Sequence, residues 1–246
     1  MQDLLLFWPA LVAGLLVTAT HVPLGIQVLK RGIVFIDLAV AQIAGLGVIA
    51  ADWLGFGHHG AAAQVSALSA ALAGALVLNW TDRRWPEVQE AIIGVAFILA
   101  ANAAILLLAA HPQGSEHLKD LLVGQLLWVK ASELPLAAII SAAVLAAWFS
   151  MGGRFFYVIF ACAVTLSVQL VGIYLVFATL IVPALATRSR LPLGYVLGGL
   201  GYAAGLILSV LFDLPAGPAI VCTLAIAGAI AFLLTSLGHR EPDPSS

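Results

Sequence analysis

The stretch FFYVIFACAVTLSVQLVGIYLVFATLIVPALAT, Phe155 to Thr187, carries no charged residue between Arg154 and Arg188, and its reading decides how often the chain crosses a bilayer. It has 33 residues, whereas one helical crossing takes roughly 20. Positive charges favour cytoplasmic loops. With Arg154 and Arg188 on the same side, the stretch has to leave and return, as two passes from Phe155 to Gln169 and Gly172 to Thr187 with a hairpin between them. The competing reading is one tilted or broken helix over 155–187, because each pass is short for a hydrocarbon core about 30 Å thick.

The same logic extends in both directions. Apolar runs predict further spans at Leu4 to Val22, Ile33 to Ala51, Ala61 to Trp80, Ala91 to Ala110, Leu134 to Phe149, Leu193 to Phe212 and Pro218 to Leu237. Lys30/Arg31, Arg83/Arg84, Arg154, Arg188/Arg190 and Arg240 mark the breaks expected inside. The expected molecule is thus an all-α polytopic membrane protein with about nine helices, or eight on the competing reading. Its N-terminus lies outside and its C-terminus inside, and Lys119 and Lys130 are exceptions to the charge rule. Residues 1–238 are read as a single transmembrane domain. The polar tail 239–246, with two prolines and nothing to bury, is read as disordered. LLVGQLLWV (Leu121 to Val129) is too short to span and is read as a re-entrant or interfacial piece.

Composition fixes the class independently: 63% hydrophobic and 9% charged residues with mean hydropathy +1.10, against about 25% charged in soluble domains. A formal net charge of -2 with scattered basic residues excludes a nucleic-acid groove. Cys162 and Cys222 fall inside spans and read as buried, inert thiols. Leu4 to Val22 is too long for a signal peptide, and Asp3 stands where positive charge is expected. Gly194/Gly198 and Gly201/Gly205 form two GxxxG pairs that let helices approach closely. No Ser/His/Asp or Cys/His arrangement supports catalysis, so the chain is not read as an enzyme.

The order of residues in several segments goes further than hydropathy. These are PLGIQVLKRGIVFIDLAVAQIAGLGV (Pro23 to Val48), a Pro-Leu-Gly turn, a basic pair and a glycine-marked second helix; EAIIGVAF (Glu90 to Phe97), an acid before the fourth helix; LLVGQLLWV; VGIYLVFATLIVPALAT (Val171 to Thr187); and DLPAGPAIV (Asp213 to Val221). Together they resemble the membrane permease subunits of ATP-driven importers for zinc, manganese and iron, relatives of the cobalamin permeases.

That resemblance implies a permease for a divalent transition metal, zinc or manganese first. Its implied partners are a cytoplasmic ATPase, an extracytoplasmic metal-binding protein and a second permease copy, in a bacterial inner membrane. The metal would be substrate, with no cofactor held permanently. The chain has no GxxxxGK[ST] phosphate loop of its own.

Two departures stand out. The family carries an Asp and a His four residues apart in its second helix; here those positions are Leu38 and Gln42, with Asp37 about 100° away around the helix. The family's long cytoplasmic segment between the fifth and sixth spans, which docks on the ATPase, is reduced to Ser150 to Arg154. These departures keep two alternatives open: an accessory, non-transporting copy that pairs with a full permease, and a proton-coupled secondary transporter.

Candidate pathway residues are therefore Asp37, Gln42, Glu90 and His21. Asp37 also has a plain reading, as a carboxylate favoured by the helix dipole and Lys30/Arg31. His21 has one as an interfacial side chain at the inner end of the first helix. His58, His59, His111 and His117 fall in the outer loops and could capture arriving ions. Arg154, Arg188 and Arg190 are the candidate contacts for the ATPase. Asn79, Asn102 and Gln169 are expected to bond neighbouring helices.

Overall fold

A computed structural model describes residues 7–55, 60–108, 126–187 and 190–237. Among them the secondary structure is entirely helical. Among the described residues nine α-helices follow one another: α1 (Trp8–Arg31), α2 (Ile36–Trp53), α3 (Ala61–Arg84), α4 (Gln89–Leu108), α5 (Leu134–Met151), α6 (Phe156–Val171), α7 (Ile173–Ala186), α8 (Leu191–Phe212) and α9 (Ala216–Leu237). Single 3-10 turns occupy Pro86–Val88, Leu126–Trp128 and Gly152–Phe155. Eight of the described helices are long and apolar enough to cross a membrane, while α7 has 14 residues, about 21 Å of rise.

The largest difference from the sequence reading is at the start. The first helix does not stop at Val22 for a Pro-Leu-Gly turn but runs on through Pro23 to Arg31. Proline removes one N–H and so frees the carbonyl four residues earlier. That carbonyl belongs to Ala19, and the Tyr195 hydroxyl donates to it at 3.3 Å. Gly25, two residues on, lies so close to the Leu180 carbonyl that any Cβ would collide with it. A neighbouring helix thus replaces the missing bond, which is how helices in membranes keep their prolines. The helix ends at Gly32, in the left-handed region (φ 68°), with Lys30 and Arg31 in its last turn.

Close contacts give the helix directions. Gly14 meets Tyr202, Gly198 meets Thr18 and Gly194 meets Val22, so α8 runs antiparallel to α1. Thr179 bonds Tyr202 at 2.9 Å and Gly194 lies beside Thr187 and Pro183, so α7 is antiparallel to α8 as well. α6 begins beside Arg31, at the end of α1, and leads directly into α7. The chain therefore reverses at Gly172, whose φ of 83° and ψ of 162° suit glycine. Two passes, not one broken helix, fill 156–186. They splay from the reversal, α6 along α3 and α7 between α1 and α9.

The two GxxxG pairs are both used inside the chain. Gly194 and Gly198 seat α8 on α1, and Gly201 and Gly205 seat it on α9 against Leu224 and Ile220. Cys222 is exposed and Cys162 is half-buried, so the thiols are not the buried pair expected. The most enclosed elements are α1, α2, α6 and α7, around Leu24, Ile36, Phe160 and Leu180.

Candidate functional site

At one end of the bundle, here the basic end, the polar groups divide into a bonded set and an unbonded set. The bonded set begins with Arg31 at the end of α1. Its guanidinium donates to the Asp82 carboxylate at 3.4 Å and to the Gly153 carbonyl at 3.0 Å. It also stacks 4.7 Å from the Phe156 ring centre. Arginine's planar fork can make all these contacts at once, which a lysine ammonium cannot. It thereby ties α1 and α3 to the short turn at Gly152–Phe155.

Beside it, Gln89 accepts from the Thr81 hydroxyl at 2.9 Å and donates to the Leu78 carbonyl and to Tyr157, at 2.9 and 3.1 Å. Sequence reasoning missed this knot. Thr81 and Gln89 flank the obvious pair Arg83/Arg84, and nothing in their spacing shows that Tyr157 lies opposite.

The unbonded set lies at the N-terminus of α2. Asp37 is fully buried in the first turn, and neither of its oxygens has a hydrogen-bond partner. Glu90, from the first turn of α4, accepts the Phe35 N–H with Oε1 at 3.2 Å, while its Oε2 is buried and unpartnered. Two carboxylates thus converge on one helix start, where the dipole favours negative charge. Arg31 hydrogen-bonds Asp82, so the expected association of Asp37 with the basic pair is not made by a hydrogen bond. An unpaired buried carboxylate costs several kcal/mol, about the scale of a whole domain's stability. Such a group asks for a positive ligand or a proton.

The other candidates stand apart from this pair. Gln42 is nearly buried on α2, five residues from Asp37 and so about 140° around the helix. His21 is not at the inner end. Because α1 continues to Arg31, His21 sits mid-helix, about 15 Å before that end. Its Nδ1 engages the Thr20 hydroxyl at 2.9 Å and the Val17 carbonyl at 3.1 Å, and its Nε2 is buried without a partner.

Arg154 and Arg190 are exposed, while Arg188, His58, His59, His111 and His117 lie outside the described residues, as do most of LLVGQLLWV and residues 238–246. Among the described residues no three His, Cys, Asp or Glu side chains gather into a metal cage. Asn102 bonds the Ile98 carbonyl of its own helix at 2.8 Å, not a neighbouring helix, and Gln169 is exposed.

Comparisons with known proteins bear on the family and the fold. The ABC 3 transport family model matches residues 3–156 and 151–235. Its two stretches meet at 151–156, where Arg31 holds the short turn. An uncharacterized membrane protein of Synechocystis sp. is 27% identical, covering 94% of this chain and 90% of its own length. A Chlamydia muridarum protein described as a probable metal transport system membrane protein is 22% identical, covering 98% and 93%. The structure of PsaBC from Streptococcus pneumoniae in complex with Fab shares the fold, with TM-score 0.72 over 91% of this chain and 89% of that one at 21% identity.

Proposed function

Because the chain belongs to the ABC 3 transport family, the metal-ion permeases whose segments its sequence resembles, we propose that it is the membrane subunit of an ATP-driven importer for a divalent transition metal. The carrying observation is Asp37, a fully buried carboxylate without a partner at a helix start shared with Glu90. A cation passing this point supplies the charge that the fold withholds. Carboxylate oxygens suit harder ions, so manganese is favoured over zinc. The metal is substrate, moved between states that open to opposite sides.

Partners follow from the role: a cytoplasmic ATPase, an extracytoplasmic binding protein that delivers the ion, and a second copy of the chain. The chain sits in a bacterial inner membrane with its N-terminus outside and its basic end in the cytoplasm. Arg154 and Arg190, both exposed, are the contacts offered to the ATPase there. The turn at Gly152–Phe155 is too short to hold a docking helix, so the loops after α3 and α7 share the coupling.

The test is manganese uptake by the chain reconstituted with its ATPase. Uptake should need ATP and fall at least about tenfold in Asp37→Ala, since losing a charge-assisted ligand costs 1.4 kcal/mol or more. Unchanged uptake in that variant removes Asp37 from the pathway. Uptake that persists without the ATPase favours a proton-coupled transporter instead. The junction at 151–156 favours one further reading, an accessory copy that pairs with a complete permease. That reading predicts no uptake from this chain alone with its ATPase, and uptake when the complete permease is added.

A further inference from the structure

We infer that His21, in the middle of α1, is a second station for the permeating ion, a nitrogen ligand for a divalent transition metal about 15 Å farther from the basic end than Asp37. The inference rests on the permease reading and adds to it the residue that tells transition ions from magnesium and calcium.

The bonds of the ring fix which nitrogen is free. Nδ1 lies 3.1 Å from the Val17 carbonyl, which can only accept, so Nδ1 carries the proton. The Thr20 hydroxyl, 2.9 Å from the same nitrogen, has its own acceptors in the Val17 and Leu16 carbonyls at 3.0 and 3.3 Å, and so meets the ring with a lone pair. In the neutral imidazole Nε2 then presents a lone pair as well. It is buried and has no hydrogen-bond partner among the described residues. A ring held by Nδ1–H on a backbone carbonyl, with Nε2 open, is the arrangement in which histidines bind metals.

The place of the ring in the bundle isolates that lone pair. Thr18, three residues before, meets Gly198 of α8, and Gly25, four residues after, meets the Leu180 carbonyl of α7, so His21 lies on the α1 face that α7 and α8 cover. Other polar side chains buried along this interface are bonded: Thr18 donates to the Gly14 carbonyl at 2.8 Å, Thr179 to the Leu175 carbonyl at 2.7 Å, and the Tyr202 hydroxyl bonds Thr179 at 2.9 Å. A lone pair takes a proton donor or a cation, and here the neighbouring helices supply no donor.

Donor type gives the station its use. Asp37 and Glu90 offer only oxygens, which magnesium and calcium accept as manganese does. An imidazole nitrogen holds first-row transition ions and is a poor ligand for those two. On import the ion meets His21 first, and the carboxylates receive it nearer the cytoplasm.

Two measurements test this. In His21→Gln, which replaces the nitrogen donor with an amide, magnesium should inhibit ATP-driven manganese uptake at a concentration roughly tenfold lower than in the wild-type chain, the scale on which weakened ligands lose metal. A merely structural histidine would slow uptake and leave that ratio alone. The second measurement looks for the bond itself. His58→Gln, His59→Gln, His111→Gln, His117→Gln and His239→Gln together leave His21 as the one imidazole of the chain. With Mn²⁺ in excess of both stations, electron spin-echo modulation of this protein in nanodiscs should show a coupled imidazole nitrogen, and adding His21→Gln should abolish it. If the multiple variant fails to reach the membrane, the magnesium competition alone decides. An unchanged competition ratio, or no nitrogen coupling while His21 is present, overturns the inference.

Failures of the two readings separate. ATP-driven manganese uptake whose magnesium sensitivity ignores His21→Gln keeps the permease and discards the station. A nitrogen coupling that depends on His21 in a chain inert to ATP keeps the metal site and discards the permease.

Discussion

Two helix irregularities in this molecule have opposite outcomes. In α1, Pro23 frees the Ala19 carbonyl, and Tyr195 of a neighbouring helix takes it up. At the start of α2, three oxygens of Asp37 and Glu90 are buried with no partner at all. The first site is surrounded by close backbone contacts and the second by a helix dipole. The difference directs the tests: on the proposed function, the defect left open at Asp37 and Glu90 is where an arriving cation would be met.

The largest expected effect tests the repaired region. Gly25→Val pushes methyl groups into the Leu180 carbonyl, a backbone atom that cannot swing aside, and should cost about 3 kcal/mol, the upper end for overpacking. Folded yield on size-exclusion chromatography should collapse, while Gly94→Ala on α4, whose added Cβ meets nothing within 4 Å, should be neutral or gain up to about 1 kcal/mol. Equal tolerance at both positions would mean that α1 and α7 do not touch as described.

The open region should behave in the opposite way. Asp37→Asn removes a buried charge without a partner and keeps the shape, so thermal stability should hold or rise by about 1–2 kcal/mol while uptake is lost. That sign pair, stability kept and function gone, separates a pathway carboxylate from a structural one. A variant that melts earlier yet still transports would assign Asp37 to the fold.

Between these regions lies the Arg31 clamp, and its effect is smaller. The Arg31/Asp82 pair is about a quarter exposed on each side, so its share is discounted for solvent. Arg31→Ala should cost about 1–2 kcal/mol through the lost carbonyl bond and ring stacking. Arg31→Lys should recover little of it, since an ammonium cannot hold Asp82 and the Gly153 carbonyl in one plane. Full recovery by lysine in a thermal melt would reduce the clamp to a simple charge.

How much of this was legible in the sequence follows the same division. Hydropathy and the arginine clusters placed each span, and the reversal near Gly172 followed from Arg154 and Arg188 alone, because charge and span length are local properties. The end of α1 was not legible. A Pro-Leu-Gly segment reads as a turn in water, and the donor that serves the freed Ala19 carbonyl, Tyr195, comes from a neighbouring helix. His21 was misplaced for the same reason, since its depth depends on where α1 stops. Asp37 was legible as a suspicious acid, but its lack of a partner was not: whether Arg31 turns toward Asp37 or Asp82 is decided by how α1, α3 and α6 pack. Likewise the GxxxG pairs announced close packing without saying on which neighbour.

The smallest effect is the one that tests the repair most directly. Tyr195→Phe removes only the hydroxyl that serves Ala19 and should cost about 1 kcal/mol, since a half-buried carbonyl is left without its donor. Pro23→Ala should restore an N–H at position 23 to that carbonyl, making the tyrosine redundant. In the Pro23→Ala background the Tyr195→Phe penalty should therefore shrink toward zero, a coupling of about 1 kcal/mol in a double-mutant cycle. The cycle would be read by thermal unfolding in lipid nanodiscs, with Tyr202→Phe as a comparison. Its hydroxyl bonds Thr179 and not the proline gap, so its penalty should be the same with or without Pro23. If the two tyrosines respond alike, the 3.3 Å contact to Ala19 is proximity and not a bond, and α1 passes its proline by some means other than its neighbour.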